Sequence, residues 1–207
     1  MAEADREPIR PVSLTGKTVE LVPLSADHAE GLKAAVADGR LWELWYTSVP
    51  SPDQVQAEIA RRLALQEAGS MLAFTVLSKA AAHAQSPIVG MTTYMNIDAA
   101  TPRLEIGSTF YARRVQRTPL NTEAKLLLLG HAFDRLGCLA VEFRTHFFNQ
   151  QSRRAIERLG AKLDGVLRSH QKTANGALRD TCVYSITAAE WPAVRAHLAF
   201  QLERGRD

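Results

Sequence analysis

Glu105 is the first residue of this chain whose type and setting suggest chemistry. It stands in Arg103-Leu104-Glu105-Ile106-Gly107, between apolar neighbours in a strand-like run. A carboxylate held half-buried there would keep its proton to a higher pH than usual. It would then suit proton transfer near neutrality, or it would serve as a structural hydrogen-bond partner. A second signal is Thr118-Pro119-Leu120-Asn121-Thr122. Threonine caps a helix and proline suits its first position, leaving the amides of Leu120, Asn121 and Thr122 unpaired at the positive end of the helix dipole. Such an end holds phosphate, although an ordinary capped helix begins the same way. Asn149 and Ser152 stand three apart where another helix starts, the usual places of an N-cap and a first-turn hydroxyl. Trp42, Trp45 and Tyr46 crowd one segment between two helical stretches, as core anchors or as the wall of a site.

Other chemistries lack their residues. There is no Gly-x-Gly, no Gly-x-Ser-x-Gly elbow and no His-Glu-x-x-His, and the six histidines do not pair at ligand spacing. Gly16-Lys17-Thr18 imitates the end of a phosphate-binding P-loop, but Pro11 stands where that motif needs glycine and a strand follows where a helix should. Cys138 and Cys182 are alone, so neither a disulfide framework nor a zinc site is suggested, and both read as small core residues. No apolar run approaches the roughly 20 residues of a membrane span. Met1-Ala-Glu-Ala-Asp-Arg is too charged to open a signal peptide, so the cytosol is the expected compartment.

These residues need a frame to position them. With 207 residues, 46% apolar and 23% charged, the chain fits one globular domain with a substantial core. Lys and Arg number 25 against 22 Asp and Glu, a slight excess for a nucleic-acid binder. Residues 1–16 read as a loose arm and 17–204 as the domain. Strands are expected at 18–24, 72–77, 88–96, 103–111, 140–145, 161–167 and 181–186, and helices at 27–36, 51–67, 119–136, 150–159 and 190–202. In the strand at 103–111, strict alternation puts Leu104, Ile106, Ser108 and Phe110 on one side and Glu105, Gly107, Thr109 and Tyr111 on the other. The order β-α-α-β-β-β-α-β-α-β-β-α is an α/β (α+β) arrangement, a mixed, mostly antiparallel sheet covered by helices.

Leu104-Glu105-Ile106-Gly107, Gln116 before the helix start, Thr122-Glu123-Ala124, Asn149-x-x-Ser152-x-Arg154 and Leu159-Gly160-Ala161 running on to Arg168 occur here in that order. Together they resemble the GNAT superfamily of acyl-CoA N-acyltransferases, nearest its RimJ/RimL branch, over about residues 14–200. The family's phosphate turn reads Gln/Arg-x-x-Gly-x-Gly/Ala; here Pro119 and Asn121 replace both small residues.

The resemblance implies acetyl-CoA as co-substrate and no metal. Phe110, Tyr111, Gln116, Arg117, Thr118, Leu120, Asn121, Thr122, Asn149, Ser152 and Arg154 would bind it, with Asn149 on the pantetheine arm, Ser152 near the sulfur and Arg154 toward the adenosine phosphates. Glu105 would serve as base, a backbone amide around 109–111 would face the developing oxyanion, and Ser152 or Tyr184 would return the proton to the thiolate. Trp42, Trp45, Tyr46 and His170 would shape the acceptor site, with Arg179 beside them. The acceptor would be a peptide or protein N-terminus, an amino acid or a small amine. A non-catalytic acyl-CoA sensor is the alternative, and a third reading, binding to ribosomal RNA or a ribosomal protein, rests on Arg153, Arg154 and Arg158. A homodimer is left open.

Overall fold

The computed structural model describes residues 7–81 and 86–204. Eight strands form one sheet in the order β1-β2-β3-β4-β5-β6-β8-β7. They are β1 (Leu14–Thr15), β2 (Val19–Pro23), β3 (Met71–Ser78), β4 (Ile88–Asp98), β5 (Arg103–Tyr111), β6 (Ala140–His146), β7 (Lys162–Lys172) and β8 (Leu178–Thr187). The additional strand relative to the sequence reading is β1. It pairs Leu14 with Leu21 and Thr15 with Glu20 through a turn in which Gly16 N donates to Val19 O at 2.8 Å. Two residues carry no periodicity, so nothing in the sequence marks them as a strand.

The helices are α1 (Ala29–Ala37), α2 (Val55–Glu67), α3 (Leu120–Gly130), α4 (Gln150–Glu157) and α5 (Trp191–Arg204). Ser51 caps the turn leading into α2, with Pro52 next to it as the sequence suggests. The long helix expected over 119–136 is α at its start and a π-turn over His131–Arg135, closed by Leu136 N to His131 O at 3.0 Å. Its broad apolar band is accounted for by packing. Ala124, Leu128 and Leu129 are fully buried, and Tyr94 of β4 donates its hydroxyl to Leu128 O at 2.6 Å.

Alternate residues of β4 fix the layers. Thr92 meets α3 through Lys125, and Thr93 meets α2 through Arg62, so the two helices cover opposite faces of the sheet. Val19, Leu21, Phe74, Val76, Tyr94, Val141, Tyr184 and Ile186 form the sheet's contribution to the core, and both cysteines are buried thiols, not joined in a disulfide.

Two irregularities open this frame. Strands β5 and β6 are the one parallel pair among the described residues, and they pair only over 103–105 with 140–142; beyond those residues they separate. In β5 itself three residues span the distance from Gly107 to Phe110 while β4 advances two, from Thr93 to Met91. Ser108 is therefore the extra residue of a β-bulge, with φ of 48°. The bulge overturns the strict alternation read from sequence. Thr109 bonds to Thr92 on the α3 face, while Phe110 pairs with Met91 on the face of Glu105 and Gly107.

Candidate functional site

A cavity of about 660 Å³ lies where β5 and β6 part, reaching both faces of the sheet. Arginines and a lysine from both faces line it, and among the described residues no aspartate or glutamate does. An anionic ligand fits that lining, since a polyphosphate needs several cations and suffers from any nearby carboxylate.

On the α3 face the cavity is bounded by the start of α3 and of α4. Thr118 Oγ1 receives Leu120 N at 3.4 Å and donates to Val115 O at 2.6 Å, so threonine caps the helix as its type suggests. Pro119, at φ −62°, is already helical. Gln116 Nε2 donates to Tyr111 O at 2.8 Å, tying the turn to the end of β5. Arg117 has φ of 61°, an uncommon conformation for a residue with a side chain. Gln116, Arg117, Thr118 and Asn121 line the cavity; Leu120 is buried in the core, and Thr122 accepts a bond from Arg158 Nη1 at 3.1 Å instead. Asn149 Oδ1 caps α4 by accepting Ser152 N at 3.1 Å. Asn149, Ser152 and Arg154 all face the cavity, as do Phe110 and Tyr111. The Tyr111 hydroxyl is buried without a hydrogen-bond partner among the described residues, and burial pushes its pKa up. A donor so placed is satisfied by a ligand that enters the cavity.

On the other face the segment after α1 closes over β6. Tyr46 lines the cavity, Trp45 is 45% exposed with its ring edge-on to His146 at 5.0 Å, and Trp42 packs partly buried against the core. His170 bonds to Thr181 Oγ1 at 3.2 Å through Nδ1 and lies outside the cavity. Tyr184 also lies outside it. Its hydroxyl donates to Glu157 at 2.7 Å and accepts from Arg153 Nε at 3.0 Å, so the structure commits it to holding α4.

Glu105 is 5% exposed and directly behind the lining. Its Oε1 lies 2.8 Å from where a Cβ on the cavity residue Gly107 would stand, so glycine there leaves the carboxylate its place. Asn96 Nδ2 donates to Oε2 at 2.8 Å and Arg144 Nε is 3.6 Å from the same oxygen. Burial raises the Glu105 pKa, outweighing the lowering by Asn96, Arg144 and Arg179.

Four ionisable residues of the cavity escaped the sequence reading. Lys125 is 6% exposed, its Nζ donating to Thr92 Oγ1 at 3.3 Å and Thr109 Oγ1 at 3.2 Å, and burial pulls its pKa down to about 7. Arg62 is buried between Glu58 and the bulge, donating to Thr93 Oγ1 and, through both terminal nitrogens, to Ser108 O at 3.2 Å. Arg144 pairs with Glu142 at 2.8 Å. His146, 2% exposed, accepts Phe148 N at 3.1 Å on Nδ1 and leaves Nε2 without a partner among the described residues. Lys125 stands at the border of the Leu126–Leu129 run, a place that does not tell a buried ammonium from a solvated one, and nothing in the sequence points to the other three. No group of three or more His, Cys, Asp and Glu among the described residues is placed to hold a metal, and no helix there is long and apolar enough to cross a membrane.

Residues 18–162 match the family model of the acetyltransferase (GNAT) domain. A GCN5-related N-acetyltransferase from Brucella melitensis is 30% identical over 96% of this chain and 88% of its own, with a TM-score of 0.83. A probable acetyltransferase of the GNAT family from Chromobacterium violaceum is 28% identical, covering 91% and 92%, at 0.78. The fold is also that of the RimL ribosomal L7/L12 α-N-protein acetyltransferase solved with coenzyme A, at 16% identity over 85% and 98% and a TM-score of 0.71. No curated protein matches the sequence.

Proposed function

The chain belongs to the GNAT acetyltransferases, and from that premise we propose that it moves an acetyl group from acetyl-CoA to a primary amine by direct attack. The observation that carries this reading is the parting of β5 and β6 into a cation-lined cavity with access from both faces of the sheet. One face then suits the thioester donor and the other the amine.

Acetyl-CoA supplies the activated acetyl group. The α3 amides beyond Leu120, whose own N–H is taken by Thr118 Oγ1, bind its phosphates with Gln116, Arg117 and Arg154, and Asn149 and Tyr111 hydrogen-bond its pantetheine arm. Bulge geometry at Ser108 leaves a β5 amide outside the ladder, beside the gap, where it stabilises the oxygen that gains charge. Glu105 accepts the amine's proton, directly or through a water, and Ser152 returns one to the departing thiolate. Tyr184 has no share in this proposal, because both its bonds are structural. The lining supports a peptide N-terminus, the RimJ/RimL-like choice, or a smaller amine.

Calorimetric titration with acetyl-CoA and a thiol-release assay over a panel of amines test the reading together. Micromolar binding with amine-dependent thiol release is expected. Binding with no release for any amine would favour a sensor of the same fold, for which the replacement of two small residues by Pro119 and Asn121 is the motive. Absence of saturable binding would sink both.

A further inference from the structure

We propose that the acceptor end of the cavity is built for an amine that carries a carboxylate, received by Arg179 and by the Nε2–H of His146. The proposal rests on the acetyl-transfer reading, whose acceptor it narrows.

His146 has one ring nitrogen without a partner among the described residues. Its Nδ1 accepts the Phe148 amide at 3.1 Å, so Nδ1 holds a lone pair and the proton of the neutral ring is on Nε2. Burial first and then the nearby Arg179, outweighing the raising effect of Asp180, keep the ring below its ordinary pKa, in that neutral form. His146 is thus a donor with no acceptor among the described residues, 2% exposed, in the wall of the cavity. The rings of Trp45, Tyr46 and Phe148 stand 5.0 to 6.3 Å from it and limit its access to water. A buried donor left in this way costs free energy until something accepts from it.

Arg179 supplies the charge. His146 pairs with Thr181 across β6 and β8, and Arg179 Nε donates to Thr181 Oγ1 at 3.1 Å, which sets its guanidinium on the same side as the imidazole. The other arginines there are committed, Arg62 to Glu58 at 2.7 Å and Arg144 to Glu142 at 2.8 Å. Arg179 has no carboxylate within 4.0 Å among the described residues, although Glu105 is near enough to act on it through space. A guanidinium with its remaining N–H groups free matches a carboxylate, and a neighbouring imidazole N–H adds a third bond. Glu105, on the same side and in the field of Arg179, is then close to the amine that such a ligand would present.

An α-carboxylate and an acidic side chain share this chemistry, and matched acceptors separate them. Thiol release is compared for L-leucine against L-leucinamide, and for L-aspartylglycinamide against L-asparaginylglycinamide. Binding is followed by tryptophan fluorescence, which Trp45 should report, with N-acetylglycine against N-acetylglycinamide. At least one acid is expected to exceed its amide by about tenfold to a hundredfold in kcat/KM, the range of a charge-assisted bond. Arg179→Gln should collapse that preference, and His146→Phe should weaken it where His146→Gln, which keeps a donor, weakens it less. Equal use of acids and amides, or preferred use of spermidine, would overturn the carboxylate site while leaving acetyl transfer standing. Preferential binding of N-acetylglycine lost in Arg179→Gln, without thiol release from any amine, would uphold the site and remove the transfer reading. Preferential binding that Arg179→Gln leaves unchanged would overturn the site.

Discussion

At Glu105, burial and function pull in opposite directions. A carboxylate 5% exposed with a raised pKa holds its proton to a higher pH than it does in the unfolded chain. Its stability contribution is therefore whole below the unfolded value and is lost as pH rises through the folded one. Glu105→Gln is expected to lower turnover about a hundredfold near neutrality, with a smaller loss at high pH where the amine deprotonates unaided. The same variant should resist urea better than the parent at pH 8, and the gap should close toward pH 4. A pH-independent gap would place the charge of Glu105 outside the balance. Lys125 has the converse sign. Its folded pKa of about 7 lies below the ordinary 10.5, so the folded chain is penalised at low pH and relieved as pH rises between those values. Lys125→Met should stabilise the protein by up to about 4 kcal/mol below pH 7. That gain should shrink toward pH 10, which paired denaturation curves would reveal. Glu105 was legible because charge interrupts an alternating strand. Lys125 was not, since a lysine at the border of an apolar helical band has the same pattern whether its ammonium faces water or two threonines.

Elements show the same division between what the sequence carries and what packing decides. Seven of the eight strands and all five helices follow from periodicity, caps and turn residues, as at Asn175-Gly176, where Gly176 takes φ of 83°. The bulge does not follow, because Ser108 sits inside an otherwise regular strand and its left-handed φ is imposed from outside. Arg62 of α2 grips the Ser108 carbonyl with two nitrogens, and Glu58 holds Arg62 in turn. Ser108→Gly should be tolerated, since glycine adopts that φ freely. Ser108→Val should cost about 1 to 3 kcal/mol and lower kcat more than it raises KM for acetyl-CoA. Equal behaviour of the two variants would show that the bulge is not needed for turnover. The divergence of β5 and β6 is hidden for a related reason. Pairing between residues 37 apart in the chain, as Leu104 with Val141, is written in neither strand alone.

For the molecule as a whole, one carboxylate joins the edge of the sheet to the helix that carries the phosphate site. Glu123 of α3 accepts Lys17 N at 2.5 Å, Thr18 N at 2.9 Å and the Thr18 hydroxyl, with Lys79 near. Gly16-Lys17-Thr18, which only imitates a phosphate loop in sequence, therefore does bind an anion, and the anion is the chain's own. Glycine at position 16 leaves the carboxylate its place, because a Cβ would stand 2.5 Å from Glu123 Oε1 and the side chain would have to move off its donors. Although burial pushes the Glu123 pKa up, the bonds from Thr18 and Lys17 hold it below the ordinary glutamate value. A depressed acid contributes stability that is present above its unfolded pKa and lost as pH falls through the folded one. Glu123→Gln removes the charge and one acceptor and leaves three donors to share a single oxygen. The expected cost is about 1 to 3 kcal/mol at pH 7, the range for a buried charge-assisted bond. Because protonation removes the same charge from the parent, the two denaturation midpoints should converge below pH 4, as those of the Glu105→Gln pair do, but from the opposite side, with the variant the less stable of the two at pH 7. A constant difference between Glu123→Gln and the parent from pH 7 down to pH 3 would mean that the amides of Lys17 and Thr18 do not favour the charged form. The tie between the N-terminal strands and α3 would then be one of shape alone.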